Sequence, residues 1–489
     1  MLKKLRVALA VIFWLGITLL LLDFTGTLHA WLGWMAKIQF LPAVLALNVG
    51  VIVGLVLLTL VFGRVYCSVI CPLGVFQDGI SWLRAHKSKK AFEYRKERKW
   101  LRYGVWVLFV AALVAGVHVI VSLLAPYSSY GRMVQELLQP LYIWGNNLLA
   151  YLAERAGSYA FYEKEVWLRS VPTLVIAAVT LVIIVVLAFR GGRTYCNDIC
   201  PVGTTLSFFS RFAMFRPVID ESQCVRCHSC ERKCKAQCTE ITKERVHIDY
   251  SRCVDCFDCI DTCPKGGLKY RFAWGACHDK KDSGRRAFLT GATVAVGAAA
   301  LKSVESRAQS LTKVDGGFAE VLPKQAPERE VPLTPPGSIG PKDFYKHCTA
   351  CQLCVAECPN NVLRPSGSLD RLMQPEMSYE KGFCRPECTR CSELCPSGAI
   401  HKITREEKTQ YHIGTAQVNP ELCFMATGKS ACGKCVQACP SGAVKLVPYG
   451  EHRIPAVAEE VCTGCGACEY LCPSRPISAI TVNGKHQHV

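Results

Sequence analysis

The sequence predicts a membrane α-helical bundle, of four spans plus a candidate fifth, that carries two cysteine-rich α+β modules. Three observations lead there. Apolar runs at 7–22, 42–62, 103–124 and 171–189 each approach the roughly 20 residues needed to cross a bilayer. The pattern G-R-x-Y-C-x-x-I-C-P-x-G occurs at 63–74 and again at 192–203, so the first half of the chain is an internal duplication. Outside that repeat, the cysteines recur six times as variants of C-x2-C-x2-C-x3-C.

Composition narrows the classes. The 489 residues leave room for several domains. The chain is 50% hydrophobic, carries a net charge of +18 and has a mean hydropathy of +0.20. The excess Lys and Arg sits beside apolar runs, at Lys3, Lys4, Arg6 and across 84–102. That placement reads as membrane topology and argues against nucleic acid as a partner. Of the 30 cysteines, four fall in the repeat and twenty-four in the six motifs, which leaves Cys238 and Cys277. A disulfide framework has no need of this spacing, and zinc ribbons do not add a fourth cysteine before proline. Thiolate ligation of iron–sulfur clusters explains both features, so the two modules read as ferredoxin-like α+β iron–sulfur modules.

Residues 1–215 form the duplicated membrane domain. No small-residue cleavage site follows Leu21-Leu22-Asp23, so the first run reads as an uncleaved anchor. The loop holding Arg84, Lys87, Lys89, Lys90, Arg95, Lys96, Arg98, Lys99 and Arg102 is expected on the cytoplasmic side. The 125–170 segment mixes both signs of charge and is expected on the other. Both C-x3-C-P motifs then lie at the cytoplasmic face. Cys67 and Cys71 are four apart and share one face of a helix, with Pro72 and Pro201 aiming the thiolates inward. A pseudo-two-fold pair would gather Cys67, Cys71, Cys196 and Cys200 around one further cluster. The plainer alternatives are packing cysteines or a redox dithiol.

Residues 216–280 form the first module, with the spacing of a bacterial two-cluster ferredoxin, in which the fourth cysteine of each motif ligates the other cluster. One site is Cys224, Cys227, Cys230 and Cys263; the other is Cys253, Cys256, Cys259 and Cys234. Cys234 lacks a following proline, and Cys238 one turn on is a rival ligand. Residues 283–305 open on Ser283-Gly284-Arg285-Arg286-Ala287-Phe288-Leu289-Thr290, close to a twin-arginine export signal, and run on as the candidate fifth span. Ser306-Arg307-Ala308 is a candidate cleavage site. A Pro- and Gly-rich linker occupies 306–341.

Residues 342–489 hold four motifs: Cys348, Cys351, Cys354, Cys358; Cys384, Cys388, Cys391, Cys395; Cys423, Cys432, Cys435, Cys439; and Cys462, Cys465, Cys468, Cys472. Short β segments such as Ala399–Ile403 are expected after the Cys-Pro turns. Sequential and nested pairing of these motifs are both open. The motif count sets about six [4Fe-4S] clusters, with a seventh if the repeat binds one.

Residues 1–275 resemble the NapH family of membrane ferredoxin-type proteins, on the twin C-x3-C-P motifs, the four spans and the trailing two-cluster ferredoxin. Residues 283–489 resemble the NapG family, on the twin-arginine segment and four cluster motifs. The chain resembles a fusion of the two. That resemblance implies oxidation of quinol from the membrane quinone pool and electron delivery to a redox partner, such as a periplasmic molybdenum reductase or a cytochrome c. It also implies the bacterial inner membrane, with the first module cytoplasmic and the second periplasmic. The cysteines above are the residues it carries over. No catalytic residue and no pterin or flavin site is read, so the chain is expected to be a conduit. Candidate quinone residues are His118 on the third run and Arg64, Tyr66, Arg193 and Tyr195 beside the thiolates; Tyr and Arg at an interface also serve as plain anchors. Two rival functions are an accessory protein that matures or regulates a partner metalloenzyme and a cytoplasmic polyferredoxin tethered to the membrane.

Overall fold

The computed structural model describes residues 1–489 other than 24, 88–91, 159, 165, 167–168, 243–245, 274–312, 315–319 and 489. Cys277, the twin-arginine-like segment and the candidate cleavage site lie outside the described residues. In chain order the helical half is α1 (Leu2–Leu22), α2 (His29–Lys37), α3 (Phe40–Leu45), α4 (Val49–Phe62), α5 (Pro72–Lys87), α6 (Lys99–Ala115), α7 (His118–Leu124), α8 (Pro126–Met133), α9 (Gln139–Arg155), α10 (Val171–Gly191) and α11 (Pro201–Ser210).

Two of these, α1 and α10, are long and apolar enough to cross a membrane, at 21 residues each. Of the four runs expected to span, these two form single long helices, and the other two are interrupted. Residues 42–62 break between α3 and α4, where Leu47 takes a φ of 50° and the Asn48 side chain accepts the Val51 N–H as an N-cap. Residues 103–124 break at Gly116, whose φ of 76° closes α6 with a left-handed cap. Apolar composition specifies burial; a capping Asn and a left-handed Gly set where the helices stop.

The bundle core joins Ile17, Leu20 and Leu21 of α1 to Leu73 of α5, Val121 of α7, Ile184 of α10 and Leu206 of α11. In the two long helices these contacts act through van der Waals packing rather than transfer from water, because lipid is as apolar as the core. The α8 helix is buried along its whole length.

Between α4 and α5, and again between α10 and α11, the repeat forms a π-helical turn, Tyr66–Ile70 and Tyr195–Ile199. The expected α-helical face is therefore replaced by one wide turn per copy. Cys71 and Cys200 leave it in extended backbone, with ψ of 114° and 118°, because the following proline excludes the helical region. Gly63 and Gly192 precede the turns at φ of 75° and 61°. A Cβ on Gly63 would strike the Asp255 carboxylate, and one on Gly192 the Lys235 carbonyl. Each copy thus begins where the first module presses against it, through a side chain at Gly63 and through main chain at Gly192.

In the first module β1 (Phe215–Ile219) pairs antiparallel with β4 (Leu268–Phe272), and β2 (Thr239–Ile241) with β3 (Val246–Ile248). The second module is also built of short antiparallel pairs, such as Gly414–Val418 with Ile480–Gly484. The strand expected at Ala399–Ile403 is irregular chain instead, and the His401 N–H donates to the Gly337 carbonyl at 2.8 Å.

The two modules touch opposite ends of one helix. At its start, Lys3 pairs with Asp261 at 2.9 Å in the first module. Just past its end, Gly26 abuts Arg390, and His29 approaches Glu393 at 3.4 Å in the second. At 1.5 Å per residue, α1 separates those contacts by roughly 30 Å.

Candidate iron–sulfur centres

The π turns bring the two repeat copies together about a pseudo-two-fold axis. Arg193 Nη1 donates to the Cys67 carbonyl at 2.7 Å, and Arg64 Nη2 donates to the Cys196 carbonyl at 3.1 Å. Each arginine also reaches a thiol of its own copy, Arg64 to Cys67 Sγ at 3.8 Å and Arg193 to Cys196 Sγ at 3.7 Å. Cys67, Cys71, Cys196 and Cys200 are all buried and act on one another electrostatically. The four thiols therefore gather into one site, flanked by two buried guanidinium groups.

Six further groups form in the modules, and in each pair of motifs the fourth cysteine crosses over. Cys224, Cys227, Cys230 and Cys263 line one cavity. Cys234, Cys253, Cys256 and Cys259 line another, with Cys238 on the same wall, its Sγ 3.5 Å from that of Cys234. In the second module Cys358, Cys384, Cys388 and Cys391 line one cavity, and Cys423, Cys432, Cys435 and Cys472 another. Mutual electrostatic contact groups Cys348, Cys351 and Cys354 with Cys395, and Cys462, Cys465 and Cys468 with Cys439. The motifs therefore pair sequentially, first with second and third with fourth.

Four loops share one backbone signature. The residues just before and just after the second cysteine have left-handed φ: Arg226 and His228, Asp255 and Phe257, Ala350 and Gln352, Gly464 and Gly466. Such paired turns curl the loop and its N–H groups around a common centre. The Ala350 N–H, for example, donates to Cys348 Sγ at 3.4 Å.

These sites fit clusters better than single ions. Among the described residues no group of three or more His, Cys, Asp or Glu side chains is disposed to hold one metal ion, and no disulfide forms. The thiols instead ring cavities that suit a polynuclear core. Burial pushes Cys230, Cys351, Cys384 and Cys435 up to about 11. Thiolates so placed are stable at neutral pH against a positive metal centre, not alone.

The sites follow one another through the molecule. Arg64 links the first module to the repeat: its N–H donates to Asp255 Oδ2 at 2.8 Å and its Nη1 to the Ser251 carbonyl at 3.1 Å, on either side of Cys253. Gly131 of α8 meets the Cys351 carbonyl on the far side of the repeat. Within the second module the Cys384 N–H donates to the Cys465 carbonyl at 2.9 Å.

Of the residues considered for a quinone, Arg64, Tyr66, Arg193 and Tyr195 do meet around the repeat's thiols. Both tyrosines are already engaged, Tyr66 Oη with Gln39 Oε1 at 3.1 Å and Tyr195 Oη with the Leu124 carbonyl at 3.0 Å. His118 is elsewhere. It starts α7, is buried, has no hydrogen-bond partner on either ring nitrogen, and feels the charges of Lys346 and His347 in the second module. Sequence reading missed Asp78, Asn197, Asp255 and the whole of α8. Asp78 accepts from Arg193 Nε at 2.8 Å and pairs with Lys235 at 3.1 Å and Arg6 at 2.6 Å. Asn197 stands inside the repeat, where a polar residue answering Ser68 was the available signal: its Oδ1 accepts from Arg64 Nη1 at 2.9 Å.

Comparison with known proteins agrees with this chemistry. A 4Fe-4S binding domain matches residues 44–91 and again 173–218, the two copies of the repeat. A 4Fe-4S dicluster domain matches 383–443 and 430–475 in the second module. The first of those matches runs from the second motif into the third, which the structure assigns to different pairs; consecutive motifs look alike in sequence, and geometry separates them. An uncharacterized protein of Methanocaldococcus jannaschii is 28% identical over 256 residues, covering 50% of this chain and 79% of its own. The ferredoxin-type protein NapF of Escherichia coli is 29% identical over 178 residues, 36% of this chain and 99% of NapF. The methylamine utilization ferredoxin-type protein MauM of Methylobacillus flagellatus is 30% identical over 164 residues, 32% of this chain and 70% of MauM. The chain is an iron–sulfur electron-transfer protein that binds [4Fe-4S] clusters, and over the residues that align it belongs to the family of ferredoxin-type proteins represented by MauM.

Proposed function

We propose that the chain is a membrane-anchored electron conduit, a NapH-like helical half fused to a NapG-like module. It takes electrons from a quinol and passes them through [4Fe-4S] clusters to a redox partner on the other side of the bacterial inner membrane, such as a molybdenum reductase or a cytochrome c. The observation that carries this reading is the row of cysteine sites running from one end of α1 to the other. The repeat supplies the middle member, so a cluster there would bridge modules that the bundle otherwise keeps apart. Its first-module members include Cys224, Cys227, Cys230 and Cys263, and its second-module members Cys423, Cys432, Cys435 and Cys472.

Charge supports the orientation. The basic segment packs on the first module, with the Phe92 N–H donating to the Arg232 carbonyl at 3.1 Å and Arg252 Nη1 to the Arg95 carbonyl at 2.6 Å. Lys- and Arg-rich loops stay in the cytoplasm, which favours that side for the first module and the periplasm for the second.

The test uses the full chain, purified anaerobically and placed in lipid. Iron and acid-labile sulfide should correspond to about six or seven cubanes. Menaquinol should bleach the cluster absorbance, and protease added from the periplasmic side should reach 342–489. A full cluster complement that menaquinol never reduces would overturn the quinol step and leave an accessory role toward a partner metalloenzyme.

A further inference from the structure

The α8 helix lies between the repeat's thiols and the second module, and one of its residues stands out by its charge. Arg132 is 0% exposed. Its Nη1 donates to the Ser122 carbonyl at 2.9 Å and its Nη2 to Ser129 Oγ at 3.2 Å, while Nε has no partner. Among the described residues no carboxylate pairs with it. The ionisable groups that act on it are Tyr195 on one side and Cys351 on the other. Tyr195 in turn faces Cys200 and Cys196 of the repeat. Next to Arg132, Gly131 takes the Cys351 carbonyl so closely that a Cβ would collide with it. The guanidinium is thus held between two thiol sites with no counter-ion of its own.

A buried cation without a partner is costly, and it persists where negative charge comes from elsewhere. A [4Fe-4S] core held by four thiolates is net negative, and reduction makes it more so by one charge. We propose that Arg132 is a positioning residue that makes the site of Cys348, Cys351, Cys354 and Cys395 the acceptor of electrons leaving the repeat's thiol site. The proposal rests on the reading that both sites conduct electrons. In the low dielectric of the interior, a fixed positive charge favours the reduced cluster over the oxidised one. It therefore raises the reduction potential of the cluster beside it. The step moves one electron. The donor at the repeat, itself reduced by quinol or by dithionite in vitro, is reoxidised, and no proton or bond changes place.

The experiment is a redox titration of the anaerobic full-length protein followed by electron paramagnetic resonance. In Arg132→Met one cluster should become harder to reduce, by at least about tenfold in its reduction equilibrium, or about 59 mV for a one-electron couple. That cluster should be the one whose signal is lost in Cys395→Ser. Arg132→Lys should restore most of the potential, which a purely structural role would not predict. Iron and sulfide per chain should be unchanged; if the Met variant loses iron, Arg132→Gln carries the same expectation. Intact clusters with unshifted potentials, or a shift that Lys leaves uncorrected, overturns the role of Arg132. A Cys395→Ser variant that loses no cluster at all instead sinks the reading on which it rests.

Discussion

The two iron–sulfur modules meet the helical bundle in opposite ways. The first is tied down by buried charge. Asp78 of α5 faces Arg193, Lys235 and Arg6 together, and Lys235 passes on to Asp258 at 3.0 Å. Burial opposes ionisation of Asp78, but those cations outweigh it and hold its carboxyl well below the usual carboxylate range. The second module meets α8 through a backbone contact at a glycine, and its charged contact with the bundle, His29 with Glu393 at 3.4 Å, is part-exposed rather than buried. At that end Glu136 is one of the buried carboxyls, with one oxygen lacking a hydrogen-bond partner. Burial pushes Glu136 up to about 7, and Arg169 offsets only part of the rise. Shared buried ion pairs couple the stability of the first module to that of the bundle more tightly than a single backbone contact at glycine couples the second.

The largest effect is expected from Asp78→Ala. It strands Arg193 and Arg6 and leaves Lys235 with Asp258 alone, and removing one partner of a buried pair costs about 3–5 kcal/mol. Iron should be lost from the repeat and from the adjoining first-module site, while the second module keeps its clusters. Iron and sulfide assays with thermal unfolding in detergent will check this, and a uniform loss across both modules would erase the contrast.

Gly131→Val should do less and do it at the other end. Overpacking against the Cys351 backbone costs about 1–3 kcal/mol. Cluster content should hold, but clusters of the second module should be reduced more slowly from the bundle side, as seen by stopped-flow absorbance. First-module clusters should keep their rate.

The smallest effect separates the ends by pH. Below the ordinary carboxyl value of 3.8 for Asp78, the first module loses its anchor as the carboxyl protonates. Glu136 has the opposite sign. Its contribution is complete below 4.5 and is lost as pH rises through about 7, because the folded state must then bury a charge. Glu136→Gln should flatten the melting temperature across that upper window and leave the acid limb alone.

Much of this was legible in the sequence, and for a definite reason. Cluster ligands carry their spacing in the chain, so the cysteine motifs and the duplicated C-x3-C-P pattern are visible as strings. The order of pairing in the second module was not, because crossing of the fourth ligand is a fact of three dimensions. Helix limits were misjudged where single residues, Asn48 and Gly116, overrule an apolar run. The α8 helix was illegible for a different cause. Tyr127, Ser128, Ser129 and Arg132 look like a polar loop, yet they are buried because α8 packs among α5, α7 and α10, with the second module meeting it at Gly131. His118 looked like a membrane histidine and turned out to neighbour Lys346 and His347.

The crossed arginines have an evolutionary consequence. Arg64 grips the main chain of the later copy and Arg193 that of the earlier one. Neither half can complete its own grip. A single-copy ancestor would have satisfied it only by meeting its twin, so the present polypeptide reads as an ancient homodimer whose two subunits were joined into one gene.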